Sequence, residues 1–222
     1  ERVEDGLLDT EVEVYAPTRI VVVTGPNLAK EIANREPAAA VVACEDESVA
    51  EKVQEMVHTH AFRPYTNTDV VGCELGGTVK NIIGLAVGVC DGLGYGDNTK
   101  ASVITRGLAE TARLGLAMGA NPMTFAGLAG LGDLVATCSS PLSRNRTFGE
   151  KLGRGLTVDE AAAEMKQVAE GVKSCVSVAG LAAAHGVDMP IVTHVRELVD
   201  GIVTPEELAY ALISRSTKSE GR

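Results

Sequence analysis

The chain has 222 residues and a formal net charge of −10, from 20 Lys and Arg against 30 Asp and Glu. This length corresponds to between one and two domains, and the acidic balance argues against general binding to nucleic acids or anionic membranes. With three Phe, four Tyr and no Trp, the chain has few of the aromatic side chains that stack on single-stranded bases. The core must therefore consist mainly of Ala, Val, Leu and Ile, with 24 Gly that permit close backbone approach.

The chain has five cysteines, Cys44, Cys73, Cys90, Cys138 and Cys175. Their odd number, apolar neighbours and lack of a C-x-x-C pair predict buried, reduced thiols rather than a disulfide framework or a zinc site. The four histidines form no metal-binding pattern, so we expect no metal. No uncharged apolar run reaches the roughly 18 residues of a membrane span, and no signal peptide is visible. We therefore expect a cytoplasmic protein without membrane insertion.

The first third of the chain alternates strand and helix patterns. An amphipathic helix is expected to have Ser48 as its N-cap and Glu51 as the capping-box partner. The predicted strands are 19–23, 38–44 and 62–66, and the predicted helices between them are 28–34 and 45–60. Three short strands make a poor domain by themselves, so we expect this part to be incomplete.

From Asp69 onward the pattern predicts helices only, joined by short connections with Gly, Pro or Asn. Thr157 and Thr204 precede acidic residues and are expected to be N-caps. The predicted helices are 69–90, 99–119, 122–137, 145–153, 157–166, 173–185, 190–199 and 204–215. The sequence thus predicts a mainly α fold with a small α/β remnant, divided into residues 1–68 and residues 69–222.

The segment VVGCELGGTVKNIIGLAVG contains an unusual lysine. Lys80 is the single charge between Leu75 and Cys90, and Gly76, Gly77 and Gly84 lie on its helical face. Each interior Gly costs about 1 kcal/mol relative to Ala, so another group should approach the backbone there. Two interpretations follow: a tight helix–helix seam with Lys80 extending to solvent, or a partly desolvated ammonium at the floor of a ligand cleft.

A second candidate is Ser143-Arg144-Asn145-Arg146, at the start of a predicted helix. Free backbone N–H groups, the helix dipole and an Arg fork attract anions such as phosphate. The alternative is an exposed, capped helix with two solvated arginines.

Five sequence blocks resemble the bacterial NAD(P)-dependent glycerol-3-phosphate dehydrogenase family. They are ELGGTVKN, DGLGYGDNTKASVITRGLAE, GLAGLGDLVATC, SRNR and VAEGV, in the order that the family has them. TGPNLAKEIA and FRPYTNTDVVG match the stretch that joins the two domains of that family. The resemblance covers about 19–200. It implies that residues 1–68 are the C-terminal remnant of a Rossmann-like NAD(P)-binding domain. Residues 69–222 would be an all-helical substrate-binding and catalytic domain of the 6-phosphogluconate-dehydrogenase-like type.

The resemblance implies a role for each residue of the first site. Lys80 would transfer a proton to or from the substrate oxygen, which Asn81 helps to orient. Asp133 would contact substrate hydroxyls and pair with Lys80, and Thr137, one turn later, would also reach the substrate. The alternative for Asp133 is a local N-cap.

The resemblance also implies contacts to the substrate and the cofactor from other segments. Ser143, Arg144 and Asn145 would bind the substrate phosphate. Gly25 and Asn27 would contribute further substrate contacts. The implied cofactor contacts are Ala29, Arg144, Val168 and Glu170. Read alone, Glu170 is a helix-terminal acid.

The sequence departs from the family in its cofactor motif. Gly-x-Gly pairs begin at 92, 94, 130 and 153, but the sixth positions are Asp97, Thr99, Val135 and Val158. The G-x-G-x-x-G fingerprint of a dinucleotide site is therefore absent from these 222 residues.

The resemblance implies interconversion of sn-glycerol 3-phosphate and dihydroxyacetone phosphate with NAD or NADP, feeding glycerophospholipid synthesis. One alternative is a truncated, non-catalytic helical module for substrate binding or dimerisation that lacks the dinucleotide site. Another is a dehydrogenase of the same superfamily for a different phosphorylated hydroxy acid. The Gly- and Ala-rich helices are compatible with a homodimer.

Overall fold

The computed structural model describes residues 20–165 and 169–214. It is mainly helical with one small sheet, as predicted. The elements are β1 Val22–Thr24, α1 Ala29–Ala33, β2 Ala38–Ala43, α2 Glu47–Val57, β3 Phe62–Asn67, α3 Val70–Gly92, α4 Asp97–Ala117, α5 Pro122–Ala126, a π-helical turn Leu128–Gly132, α6 Asp133–Ser139, α7 Arg144–Gly153, α8 Val158–Glu164, α9 Glu170–Ala184, α10 Pro190–Val199 and α11 Pro205–Ile213. Two residues separate the end of β3 from the start of α3. The division into two domains at this position stays a prediction.

The sheet has the order β1–β2–β3. β1 runs antiparallel to β2, with Val23 opposite Val42, and β2 runs parallel to β3, with Val41 opposite Tyr65. The central strand β2 reads as the continuous apolar run AAAVVA because both of its faces are covered. Val42 packs toward α2, whereas Val41 packs toward Cys73 of α3 and the π-helical turn. The sheet is thereby attached to the helices that carry the candidate site.

Helix α3 is the centre of the helical part and packs against α4, α6, α7 and α9. Its contact with α7 is a backbone contact. A Cβ on Gly88 would lie 2.0 Å from the Arg146 carbonyl oxygen, and a Cβ on Gly149 would lie 2.0 Å from that of Leu85. Glycine on both helices therefore lets the two backbones touch. By length and composition α3 is apolar enough to cross a membrane, but most of it is buried within the chain, and a core helix passes the same test.

Two predicted features of the helices are wrong. The single predicted helix 122–137 is split into α5, the π-helical turn and α6. The backbone is tightly packed at this break, since a Cβ on Gly130 would lie only 2.3 Å from the Phe125 carbonyl oxygen. The N-cap of α2 is Asp46 instead of Ser48, and its side chain accepts from the Ser48 N–H at 2.9 Å. Asp46 therefore starts α2 two residues ahead of the predicted cap.

The predicted caps Thr157 and Thr204 are confirmed. Each side chain accepts from the N–H three residues later, and a glutamate at that position completes a capping box. Local sequence chemistry is sufficient at these ends because the interaction lies within one turn.

Candidate active site

Lys80 and Asp133 meet between α3 and α6. The Lys80 Nζ lies 2.5 Å from Asp133 Oδ2, and the two side chains are 21% and 3% exposed. The first interpretation, in which Lys80 extends to solvent, is therefore wrong. It forms a partly desolvated ion pair.

The glycines around Lys80 admit the approach that the sequence predicts. A Cβ on Gly76 would lie 2.3 Å from the Ala129 carbonyl oxygen, and one on Gly84 would lie 2.9 Å from Thr137 Cγ2. At Gly77 the neighbour is Thr24 Oγ1, at 3.1 Å. The end of β1, the π-helical turn and α6 thus converge on the helical face that carries Lys80.

Asp133 lies in a buried, polar environment. Burial raises the pKa of its carboxyl group, and the Lys80 ammonium opposes this effect, as do hydrogen bonds from the Gly25 N–H and the Thr137 hydroxyl. The Thr137 Oγ1–Asp133 Oδ1 distance is 3.5 Å. The N-cap interpretation of Asp133 is wrong: Asp133 has helical dihedrals directly after the π-helical turn, and Gly132 occupies the cap position of α6 without a side-chain hydrogen bond.

Asn81 connects three helices next to Lys80. Its Nδ2 donates to Glu170 Oε2 at 3.2 Å and to the Gly77 carbonyl at 3.3 Å. Its Oδ1 accepts from Asn145 Nδ2 at 3.0 Å, and Asn145 Oδ1 accepts from the Gly171 N–H at 2.8 Å. Both asparagines are buried. This network fixes α3, α7 and α9 relative to one another.

The SRNR segment begins α7, and its two arginines behave differently. Ser143 Oγ accepts from the Arg146 N–H at 3.3 Å and caps the helix. Arg144 donates to Glu170 Oε1 at 2.9 Å. Arg146 is only 17% exposed and pairs with Asp91 at 2.6 Å. The segment is therefore not a helix start with two solvated arginines.

Glu170 has partners that its sequence context does not indicate. Its carboxylate contacts Arg144 through one oxygen and Asn81 through the other. The predicted phosphate-binding segment is thus connected by hydrogen bonds to the residue beside Lys80. The sequence signal for this connection is weak, since the three residues lie on three separate helices.

Gly25, Asn27 and Ala29 lie in the connection from β1 to α1. Gly25 has φ +122°, and a Cβ there would lie 3.3 Å from Ala40 Cα. Its N–H reaches Asp133, a backbone contact that no side-chain pattern reveals. Asn27 Oδ1 is buried without a hydrogen-bond partner among the described residues, and such an acceptor is suited to a hydroxyl donor on a bound ligand. Val168 lies outside the described residues.

The described residues include no cluster of metal ligands, but they do include polar groups that could contact a dinucleotide. Across 20–165 and 169–214, no three His, Cys, Asp or Glu side chains converge to hold a metal ion. For a dinucleotide, the described residues include two candidate sets of polar groups, the Arg144–Glu170 pair and the Asn27 Oδ1 acceptor. The glycine cradle for the pyrophosphate is not in this sequence.

Two family models match the chain. The model described as the C-terminus of NAD-dependent glycerol-3-phosphate dehydrogenase matches residues 69–210, and the model of its N-terminus matches residues 4–50. The first match covers more than half of the chain and includes Lys80, Asp133 and the SRNR segment.

Curated relatives and solved structures agree with these matches. Glycerol-3-phosphate dehydrogenase [NAD(P)+] of Streptomyces griseus is 70% identical over 99% of this chain and 67% of the relative. The enzyme of the same name from Streptomyces coelicolor is 67% identical over 96% of this chain and 63% of the relative. The crystal structure of glycerol-3-phosphate dehydrogenase from Coxiella burnetii superposes with a TM-score of 0.86 at 40% identity, over 88% of this chain and 60% of that one.

The chain thus spans about two thirds of the length of the relatives that it matches. Its helical fold, its superposition on the Coxiella burnetii structure and its matches to both family models lead to one assignment. The chain belongs to the NAD-dependent glycerol-3-phosphate dehydrogenase family.

Proposed function

We propose that this chain is the substrate-binding and proton-transfer part of an enzyme that interconverts sn-glycerol 3-phosphate and dihydroxyacetone phosphate. The observation that carries the proposal is the Lys80–Asp133 pair, a partly desolvated ammonium held by a buried carboxylate. The names of the relatives support NAD or NADP as the cofactor. When bound, the nicotinamide supplies or accepts the hydride.

Lys80 acts on the oxygen of the reacting carbon. In the reducing direction its ammonium donates a proton to the carbonyl oxygen, and in the oxidising direction the neutral amine removes the hydroxyl proton. Asp133 holds Lys80 in place and accepts hydrogen bonds from substrate hydroxyls, with Thr137 in reach one turn later. Asn81, which follows Lys80 in the chain, helps to orient the same oxygen, and Glu170 and Asn145 fix the position of its amide.

The start of α7 binds the substrate phosphate. Ser143, Arg144 and Asn145 lie at its N-terminus, where the helix dipole favours an anion. Arg144 adds a guanidinium that is 47% exposed and therefore accessible to a ligand. Gly25 and Asn27 contribute further substrate contacts, and Ala29, Arg144, Val168 and Glu170 contribute contacts to the cofactor.

The remaining properties follow the same proposal. The product serves glycerophospholipid synthesis, and the protein acts in the cytoplasm without membrane insertion or nucleic acid, with a homodimer as a compatible assembly. The alternative function is a truncated, non-catalytic helical module for substrate binding or dimerisation.

The experiment uses two proteins, because the chain spans about two thirds of its relatives. One is the 222-residue chain, and the other is a fusion that supplies the rest of the Streptomyces griseus relative. NADH fluorescence is titrated with each protein, and NADH oxidation is followed with dihydroxyacetone phosphate. Saturable NADH binding by the chain alone would contradict the module function. Absence of turnover in a folded fusion would contradict the proposed activity.

Two variants of the fusion test the roles of the residues. Lys80→Ala should lower turnover by roughly 10²–10⁴-fold with the NADH affinity unchanged. Its control is Lys100→Ala, because Lys100 is 27% exposed and also paired with aspartate. Arg144→Ala should raise the KM for dihydroxyacetone phosphate by about 10- to 100-fold, since a hydrogen bond to a charged group contributes about 1.5–3 kcal/mol. Its control is Arg196→Ala, because Arg196 is also 47% exposed and is also paired with a carboxylate.

A further inference from the structure

Two glycines lie one helical turn on either side of Lys80. Gly76 precedes it by four residues and Gly84 follows it by four, so all three share one face of α3. This face is covered by the π-helical turn and α6, the continuous segment that carries Asp133 and Thr137.

The contact at Gly76 is between backbones. Its missing Cβ would lie 2.3 Å from the Ala129 carbonyl oxygen and 3.2 Å from the carbonyl carbon. On its other side the π-helical turn is held against α5, where a Cβ on Gly130 would lie 2.3 Å from the Phe125 carbonyl oxygen. Because neither neighbour is a movable side chain, a methyl group at Gly76 would force the turn away from α3. Asp133 begins α6 directly after this turn and would move with it.

The contact at Gly84 is with a side chain. Its missing Cβ would lie 2.9 Å from Thr137 Cγ2. Thr137 lies one turn after Asp133 on the same helix, and its hydroxyl lies within reach of the Asp133 carboxylate. A methyl group at Gly84 would therefore displace α6 through its contact with the Thr137 Cγ2 methyl. A substitution at Thr137 can remove that methyl and leave Gly84 unchanged.

We propose that Gly76 and Gly84 are positioning residues that set the separation between Lys80 and Asp133. Their missing side chains let the π-helical turn and α6 approach α3 closely enough for the ion pair to form. The use of this pair for proton transfer rests on the proposed function, but the separation itself does not.

The test measures the pair directly in the full 222-residue chain. The Asp133 carboxyl carbon is labelled with ¹³C, assigned with Asp133→Asn, and followed as a function of pH by NMR. The groups that face this carboxylate are Lys80 from α3, the Gly25 N–H from the loop after β1, and Thr137 from its own helix. Since Lys80 lowers the pKa of this buried carboxyl, Gly76→Ala should move its titration midpoint to higher pH.

The control for Gly76→Ala is Gly180→Ala. Gly180 also lies inside a helix, α9, but a Cβ there meets nothing within 4 Å. Gly180→Ala should leave the Asp133 titration unchanged. A folded Gly76→Ala chain with the same Asp133 midpoint as the unmodified chain would overturn the proposal.

A double-mutant cycle at Gly84 gives an independent test and decides the question if Gly76→Ala does not fold. Gly84→Ala should move the Asp133 midpoint to higher pH by a smaller amount. Thr137→Ser removes the methyl group that clashes and keeps the hydroxyl. The double variant should therefore have the same midpoint as Thr137→Ser alone. If the shift persists in the double variant, or if Gly84→Ala causes none, the proposal is wrong.

The test of the positioning role can succeed or fail independently of the test of the proposed activity. The titration needs neither cofactor nor turnover. The positioning role can thus be confirmed in a protein that does not turn over dihydroxyacetone phosphate, and the activity can be confirmed in a protein whose glycines do not position the pair.

Discussion

Replacing Lys80 by Met should destabilise the protein at neutral pH and much less at acidic pH. Methionine keeps the length and apolar character of the side chain, so packing changes little. What is lost is the ammonium 2.5 Å from Asp133, whose side chain is 3% exposed. The carboxylate is then buried without its counter-charge.

The size of the effect follows from the exposure of the pair. Removing one partner of a fully buried ion pair costs about 3–5 kcal/mol. Because Lys80 is 21% exposed, water already weakens this pair, and we expect a loss of about 2–3 kcal/mol in the free energy of unfolding at neutral pH.

The pH dependence has a definite sign. Burial already raises the pKa of Asp133 above its ordinary value. A carboxyl whose pKa is raised by folding favours the folded state while it is protonated, and this stability is lost as the pH rises through the folded-state pKa. Lys80→Met removes the charge that opposes the shift, so this pKa should rise further. The gap in stability between the variant and the unmodified chain should therefore widen with increasing pH.

Urea unfolding followed by circular dichroism, at about pH 4.5 and about pH 7.5, measures this gap. The matched control is the double variant Lys80→Met, Asp133→Asn, which leaves no charge behind and should recover much of the stability at neutral pH. An equal loss at both pH values, or a double variant no more stable than Lys80→Met, would refute the reasoning.

Two further predictions concern the core. Gly88→Ala should lower the free energy of unfolding by roughly 1–3 kcal/mol or more, because its Cβ would lie 2.0 Å from the Arg146 carbonyl oxygen. Gly180→Ala, in open space, should raise it by up to about 1 kcal/mol, and equal effects in urea unfolding would argue against the backbone contact. Burial raises the pKa of Cys73 and Cys138 to about 12. Neither thiol should react with a thiol-specific disulfide reagent at about pH 8 until the chain unfolds, and rapid labelling of the folded chain would contradict their burial.

Local patterns in the sequence were sufficient for most of the helices. The ends at Thr157 and Thr204 are correct because a threonine and a glutamate three residues later close a capping box within one turn. Helix α3 is also predicted closely, since a long apolar run with interior glycines indicates a helix packed on several sides. In both cases the residues that decide the structure are neighbours in the sequence.

Local patterns failed where the contact is distant. The run 122–137 has the periodicity of one helix, but it is divided around a π-helical turn whose Ala129 backbone packs on the distant Gly76 of α3. For the same reason Asp133 has the sequence context of a cap but lies in helical conformation beside Lys80, 53 residues away in the chain.

The sequence by itself determined which chemical groups are available: one lysine among glycines, an acid after GLG, and an arginine at a helix start. Only the tertiary structure decided that Lys80 is paired with Asp133, and that Glu170 joins Arg144 to Asn81. The physical reason is that composition and periodicity report the burial of each side chain, whereas an ion pair needs two backbones at a fixed separation. That separation depends on contacts such as Gly76 with Ala129, between residues far apart in the sequence.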